Sequence, residues 1–99
     1  MKIQSSDLKE KLEKLGQFGA IKGSGVSRFT YSDNYYKGVE YIKKLMQEAG
    51  MQVKVDNVGN IIGTYLGKTD EIIALGSHID TVPNAGIFDG CLGVIGAIE

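Results

Sequence analysis

Three observations predict an α/β chain with about three helices and three strands. Apolar residues recur at helical spacing between Tyr35 and Ala49. The period changes to two at Val53 and Val55. Residues 72–76, IIALG, form a continuous apolar run. Glycine supplies much of the punctuation: fourteen residues in ninety-nine, about twice the usual share of roughly 7%.

The first helix is expected to begin near Ser6 or Asp7, either of which can cap it, with Glu10 three residues after Asp7 as in a capping box. Leu8, Leu12 and Leu15 then form a narrow apolar stripe, Glu10 and Lys14 stand at i,i+4, and Gly16 is a reasonable stop. The stripe is expected to pack on the sheet or on the second helix. Residues 17–30 are rich in glycine and serine with no clear period, which predicts an ordered loop. Ser32 or Asp33 can cap the second helix, whose stripe is Tyr35, Val39, Ile42, Met46 and Ala49 and whose stop is Gly50. Tyr31, Tyr35, Tyr36 and Tyr41 cluster there as packing residues and not as a stacking platform for nucleic acid.

Val53 and Val55 predict one strand, DNVGN (56–60) a turn, and Ile61, Ile62 and Tyr65 a second strand. So short a connection makes the two strands antiparallel. The IIALG run reads as a third strand buried on both faces. A last helix opens at Asp89 or Gly90 and is apolar almost all the way round through CLGVIGAIE, which predicts a place deep in a core. Since Glu99 follows it with no closing signal, the chain is expected to stop in the middle of a domain.

Eleven basic and twelve acidic residues leave no net field to recruit nucleic acid or an acidic membrane. No segment offers the roughly 20 apolar residues of a membrane span. The single cysteine, Cys91, has no partner within the chain and suits a reducing compartment; a cytoplasmic location is the expectation.

The chemistry gathers in residues 76–99, GSHIDTVPNAGIFDGCLGVIGAIE, which hold the only histidine, proline and cysteine of the chain. His78 at the mouth of a buried strand, with Asp80 and Asp89 in the following loop, has the residue types of a site for zinc, manganese, cobalt or nickel. Asp80 could orient the His78 ring, and Asp89 could hold one cation or bridge two. An ordinary surface histidine and a helix-capping Asp89 would give the same pattern. Cys91, between apolar neighbours on the helix, reads as a small buried residue and not as a ligand.

This segment resembles the first metal-binding stretch of the aminoacylase/carboxypeptidase-type dinuclear metallohydrolases, within them the N-carbamoyl-L-amino acid hydrolase and allantoate amidohydrolase branch. Upstream, GVSRFTYS (25–32) and VDNVGNIIG (55–63) resemble further segments of that branch, so the likeness runs in order from Gly25 to Glu99. It implies a partial catalytic domain with a zinc-peptidase-like mixed sheet, residues 1–99 being its N-terminal portion, with the rest of the sheet and a lid domain beyond. His78 would ligate one metal, Asp89 would bridge two, and Asp80, as a residue of the catalytic site, would set the imidazole. The implied cofactor is a divalent metal, two per complete site (Zn, Mn, Co or Ni), bound weakly or not at all by these ninety-nine residues alone. The implied reaction is hydrolysis of a C–N bond of an N-carbamoyl amino acid, allantoate or a related small ureido or amide substrate by metal-activated water. A homodimer is implied for the longer protein, with self-association open to this chain.

The chain departs from the family in lacking its glutamate base and remaining ligands, so it is expected to be inactive alone. Ala85 stands where the branch more often has glycine. A free-standing non-catalytic α/β interaction module is the alternative from another class, and an aminoacylase- or peptidase-type member the alternative within the family.

Overall fold

A computed structural model describes residues 2–99. In chain order it contains helix α1 (Ser5–Gly16), helix α2 (Asp33–Glu48), strand β1 (Gln52–Val55), strand β2 (Ile61–Thr64) and helix α3 (Cys91–Ile98). The α/β class and the three helices are as expected from the sequence; the strands number two.

Helix α1 begins slightly earlier than its capping pattern suggested. Gln4 is the N-cap and makes no side-chain cap bond, so the Asp7–Glu10 capping box does not form. Asp7 lies instead within the first turn, where its charge favours the positive end of the helix dipole. The Glu10–Lys14 pair is also replaced. Lys9 pairs with Glu13 at 3.8 Å, and the Lys14 ammonium lies 5.8 Å from the centre of the Phe18 ring, beyond the helix end. Leu12 and Leu15 are buried and Leu8 half-buried, as the stripe required.

Helix α2 follows its sequence closely. Ser32 caps it by accepting a hydrogen bond from the Tyr35 N–H, and Gly50 stops it at φ +88°. Val39, Ile42 and Leu45 are buried, with Tyr35, Tyr41 and Met46 partly buried against them; Ala49, the last residue of the expected stripe, is the exposed C-cap.

Strands β1 and β2 form an antiparallel hairpin with Val53 opposite Gly63 and Val55 opposite Ile61. The Asp56 carboxylate builds its turn, accepting from the Val58 and Asn60 main-chain N–H groups and from the Asn60 amide. One face of the hairpin lies on α2, close enough that a Cβ on Gly63 would meet the Met46 sulfur at 2.8 Å.

The third expected strand is not formed. Residues 72–76 have no ladder partner, and Ile72 and Ile73 are each 90% exposed. A strand buried on both faces needs neighbours at its edges and cover above and below. The hairpin turns elsewhere and the three helices are engaged with one another, so this chain supplies none of that.

The core joins Leu12 and Leu15 of α1, Val39, Ile42 and Leu45 of α2, Ile79 from the loop, and Cys91 and Ile95 of α3. The α1 stripe therefore packs on α3 and α2, not on the sheet. Helix α3 is buried along one side only, because Leu92 on its outer side is exposed. Glu99 after its end pairs with Lys11 of α1.

Candidate functional site

Residues 24–28 and 78–85 lie alongside each other. Val26 and Ala85 exchange two main-chain hydrogen bonds of 2.8 Å. Thr81 donates its N–H to the Arg28 carbonyl, and its hydroxyl accepts from the Arg28 N–H at 2.7 Å. Asn84 adopts φ +56°, donates its N–H to the Ser27 hydroxyl and its side-chain amide to the Ser24 carbonyl. Ala85 itself needs no positive φ, so a methyl group there is accommodated.

This pairing presents the site. Ile79 turns into the core, while His78 on one side and Asp80 on the other keep their side chains toward solvent. The His78 Nδ1 lies 3.2 Å from Asp80 Oδ1 and 3.1 Å from the Asp80 carbonyl oxygen. Its Nε2 lies 3.4 Å from Asp89 Oδ1, just before α3. The three residues singled out in the sequence are thus brought together around one imidazole.

Asp89 makes no cap bond to α3; the N-cap is Gly90, at φ +71° and ψ −44°. Glycine is required there on two counts. L-residues rarely adopt that backbone conformation. A Cβ would also meet the His78 carbonyl oxygen at 2.4 Å and its ring Nδ1 at 2.7 Å. The absence of that carbon lets the imidazole lie against the opening of α3, beside Asp89.

The donor chemistry fits a divalent cation. A ring that donates an Nδ1 proton to Asp80 would turn its Nε2 lone pair toward a carboxylate oxygen. Two acceptors 3.4 Å apart repel unless a proton or a cation lies between them. Two donor atoms bound to one zinc ion at about 2.0–2.1 Å, in tetrahedral arrangement, are themselves about 3.4 Å apart. Among the described residues no group of three His, Cys, Asp or Glu side chains is placed to hold a metal ion. His78 and Asp89 are two donors, fewer than the three protein ligands of a catalytic zinc site.

Tyr35 on α2 stands close enough to be influenced by Asp80: burial pushes its phenol up, and the Asp80 charge adds to the shift. Cys91 is no ligand here. It is buried, and its sulfur accepts from Arg28 Nη2 at 3.2 Å. Burial raises its thiol above the usual range, with the Arg28 charge opposing.

Arg28 is the residue that sequence reasoning missed. It is 1% exposed, and its guanidinium donates to the carbonyls of Ile79, Leu15 and Phe18 as well as to Cys91. Its acceptors are three main-chain oxygens and a thiol, which leave little trace in a sequence. The GVSRFTYS segment, residues 25–32, offered the one available signal, and its residues have distinct tasks. Val26, Ser27 and Arg28 hold the site loop, the Tyr31 hydroxyl donates to the Val58 carbonyl at 2.6 Å, and Ser32 caps α2.

No helix among the described residues is long and apolar enough to cross a membrane. No family model matches the chain. Among curated proteins, it is 37% identical to ureidoglycolate hydrolase of Arabidopsis thaliana over 101 residues, covering 100% of this chain and 21% of that protein. It is 38% identical to N-carbamoyl-L-amino-acid amidohydrolase of Pseudomonas sp. (strain NS671), covering 98% of this chain and 24% of that one. Allantoate amidohydrolase of Bacillus subtilis is 39% identical over 89 residues, 88% of this chain and 22% of that protein. A crystal structure of a hydantoinase/carbamoylase family amidase from Burkholderia ambifaria superposes with a TM-score of 0.92 at 33% identity, covering 99% of this chain and 25% of the other. The chain spans between a fifth and a quarter of the length of these proteins. In sequence and in fold it resembles the branch of ureidoglycolate hydrolases, allantoate amidohydrolases and N-carbamoyl-L-amino acid amidohydrolases, and it corresponds to one part of them.

Proposed function

We propose that residues 1–99 form part of the catalytic domain of a metal-dependent amidohydrolase, one that cleaves a C–N bond of an N-carbamoyl amino acid, allantoate or a related ureido compound. The observation that carries this reading is the set of two distances around one imidazole: Asp80 at Nδ1 and Asp89 at Nε2. Asp80 holds the Nδ1 proton and so selects the tautomer that offers Nε2. His78 Nε2 would then ligate one cation, which Asp89 would share with a second. Gly90 gives the imidazole the room to reach that position. When bound, a divalent ion (Zn, Mn, Co or Ni) would acidify water and stabilise the negative charge developing on the amide oxygen. No general base is assigned to this chain, and alone it is inactive on this reading.

The test uses this segment in place of the matching one of the Pseudomonas N-carbamoyl-L-amino-acid amidohydrolase. The chimera should hydrolyse N-carbamoyl amino acids only with divalent metal, and His78→Ala or Asp89→Asn should lower the rate at least about a hundredfold. A folded chimera whose activity is indifferent to both substitutions refutes the reading.

A further inference from the structure

We infer that Arg28 is a positioning residue for the His78–Asp89 pair, a rigid clamp that sets the separation of the two segments carrying those donors. The inference rests on the metal-site reading above for its purpose but on separate geometry for its substance. One segment is the loop His78–Thr81; the other is the opening of α3 at Asp89–Cys91. Arg28 Nε donates to the Ile79 carbonyl, between His78 and Asp80, at 2.8 Å. Arg28 Nη2 donates to the Cys91 sulfur, two residues after Asp89, at 3.2 Å. These two N–H groups share one edge of a planar, delocalised group whose donor directions cannot be adjusted independently. Fixing that plane fixes the Ile79 carbonyl relative to Cys91, and with them the residues on either side.

The plane is fixed from the other edge. Nη1 donates to the carbonyls of Leu15 and Phe18 at 2.9 and 2.7 Å, which ties the guanidinium to the end of α1. The Arg28 main chain is itself bonded to Thr81 in both directions. Room for the side chain comes from Gly38, where a Cβ would approach Arg28 Cδ to 3.2 Å. Among the described residues no carboxylate pairs with this buried cation, so its charge is spent entirely on main-chain oxygens and one thiol. That is the arrangement of a spacer between segments, not of an ion pair. A lysine, with one nitrogen at the end of a flexible stem, cannot hold both segments in a fixed relation.

The experiment compares the chain with Arg28→Lys, Cys91→Val and Leu45→Ala. Leu45→Ala is a core truncation outside both segments that controls for lost stability. Two quantities are read at a temperature where circular dichroism shows each variant folded. The first is the Mn²⁺ concentration that half-broadens the ring resonances of His78, the chain's single histidine. Mn²⁺ is chosen because it prefers nitrogen and oxygen donors to thiols. The second, taken without metal, is the set of nuclear Overhauser contacts between His78 and Gly90.

Arg28→Lys should weaken Mn²⁺ binding about tenfold and lose the His78–Gly90 contacts, while Leu45→Ala retains both. If Arg28→Lys keeps both, or Leu45→Ala loses as much, the clamp is refuted. Should the unaltered chain bind no Mn²⁺, as two donors alone allow, the metal-site reading rests on the chimera above, and the His78–Gly90 contacts alone decide the clamp. If Arg28→Lys does not fold, Cys91→Val, which removes one of the two acceptors on the shared edge, takes its place; unchanged contacts in that variant overturn the inference.

Discussion

Isoleucine occupies both extremes of this molecule. Ile79 and Ile95, in the clamped half that carries the site, are 6% and 0% exposed; Ile72 and Ile73, a few residues upstream of the first, are each 90% exposed. Side-chain chemistry is identical, and the sequence neighbourhood does not separate them: buried Ile79 is flanked by His78 and Asp80, whereas exposed Ile72 and Ile73 begin an apolar run. What differs is the supply of partners. Around Ile79 the chain provides three helices, the antiparallel bridge to Val26 and the Arg28 guanidinium. Around Ile72 it provides nothing to complete a sheet. The back wall of the candidate site is therefore built wholly within these residues, and the sheet segment leading into it is not.

The sharpest way to break the comparison is to truncate one isoleucine from each half. Ile95→Ala should lose about 2–5 kcal/mol of unfolding free energy, through lost transfer energy and the cavity left in the three-helix core. The measurement is urea denaturation followed by circular dichroism. Gly90→Ala comes next, with an expected loss on the order of 1–3 kcal/mol from backbone strain alone. Its added carbon also collides with the His78 carbonyl and ring, so the His78 resonances should shift where those of the hairpin do not.

A smaller effect lies in the hairpin. Hydrogen bonds, first from the Asn60 side chain and then from main-chain N–H groups, hold the Asp56 carboxyl below its ordinary value. A carboxyl whose pKa is lowered in the folded state contributes stability above its unfolded pKa of about 3.9 and loses it as the pH falls through the lower folded value. Exchange protection of the Val58 and Asn60 amides should therefore fall in that acid window, and Asp56→Asn should remove the pH dependence. Ile73→Ala should come last, changing stability by less than about 0.5 kcal/mol, because the side chain already faces solvent. A loss as large as that of Ile95→Ala would show that the 72–76 segment is covered in solution.

How much could be read from the sequence follows the same division. Helix α2 was legible because its cap, its stripe and its glycine stop are all local signals; the cap and stop appear where expected, and the stripe differs at its end, where Leu45 is buried and Ala49 is the exposed C-cap. The hairpin was legible for the same reason. The cap of α1 was misread because several residues near a helix start can compete for its N–H groups, and the structure uses Gln4 without any side-chain bond. The apolar character of 72–76 was correctly recognised, but a strand is a property of its neighbours, and a linear sequence does not say whether they are present. His78, Asp80 and Asp89 were found through the resemblance of their segment to known motifs, since spacing alone favoured an ordinary polar histidine and a helix cap at Asp89. The cap bond that explanation requires is not made. Arg28 escaped because a charged residue in a glycine-rich loop ordinarily reads as solvent-facing, and its carbonyl partners have no side-chain signature.

The central proposal is that one imidazole nitrogen and one aspartate oxygen would share one of the two divalent ions of the complete site. A Co²⁺ titration of the chain, followed by pseudocontact shifts across its assigned amides, tests this most directly. The account expects the fitted metal position to lie within bonding distance of both His78 Nε2 and Asp89, and Asp89→Asn to weaken binding at least about tenfold. Shifts that place the ion beside His78 alone, with affinity untouched by Asp89→Asn, would contradict it.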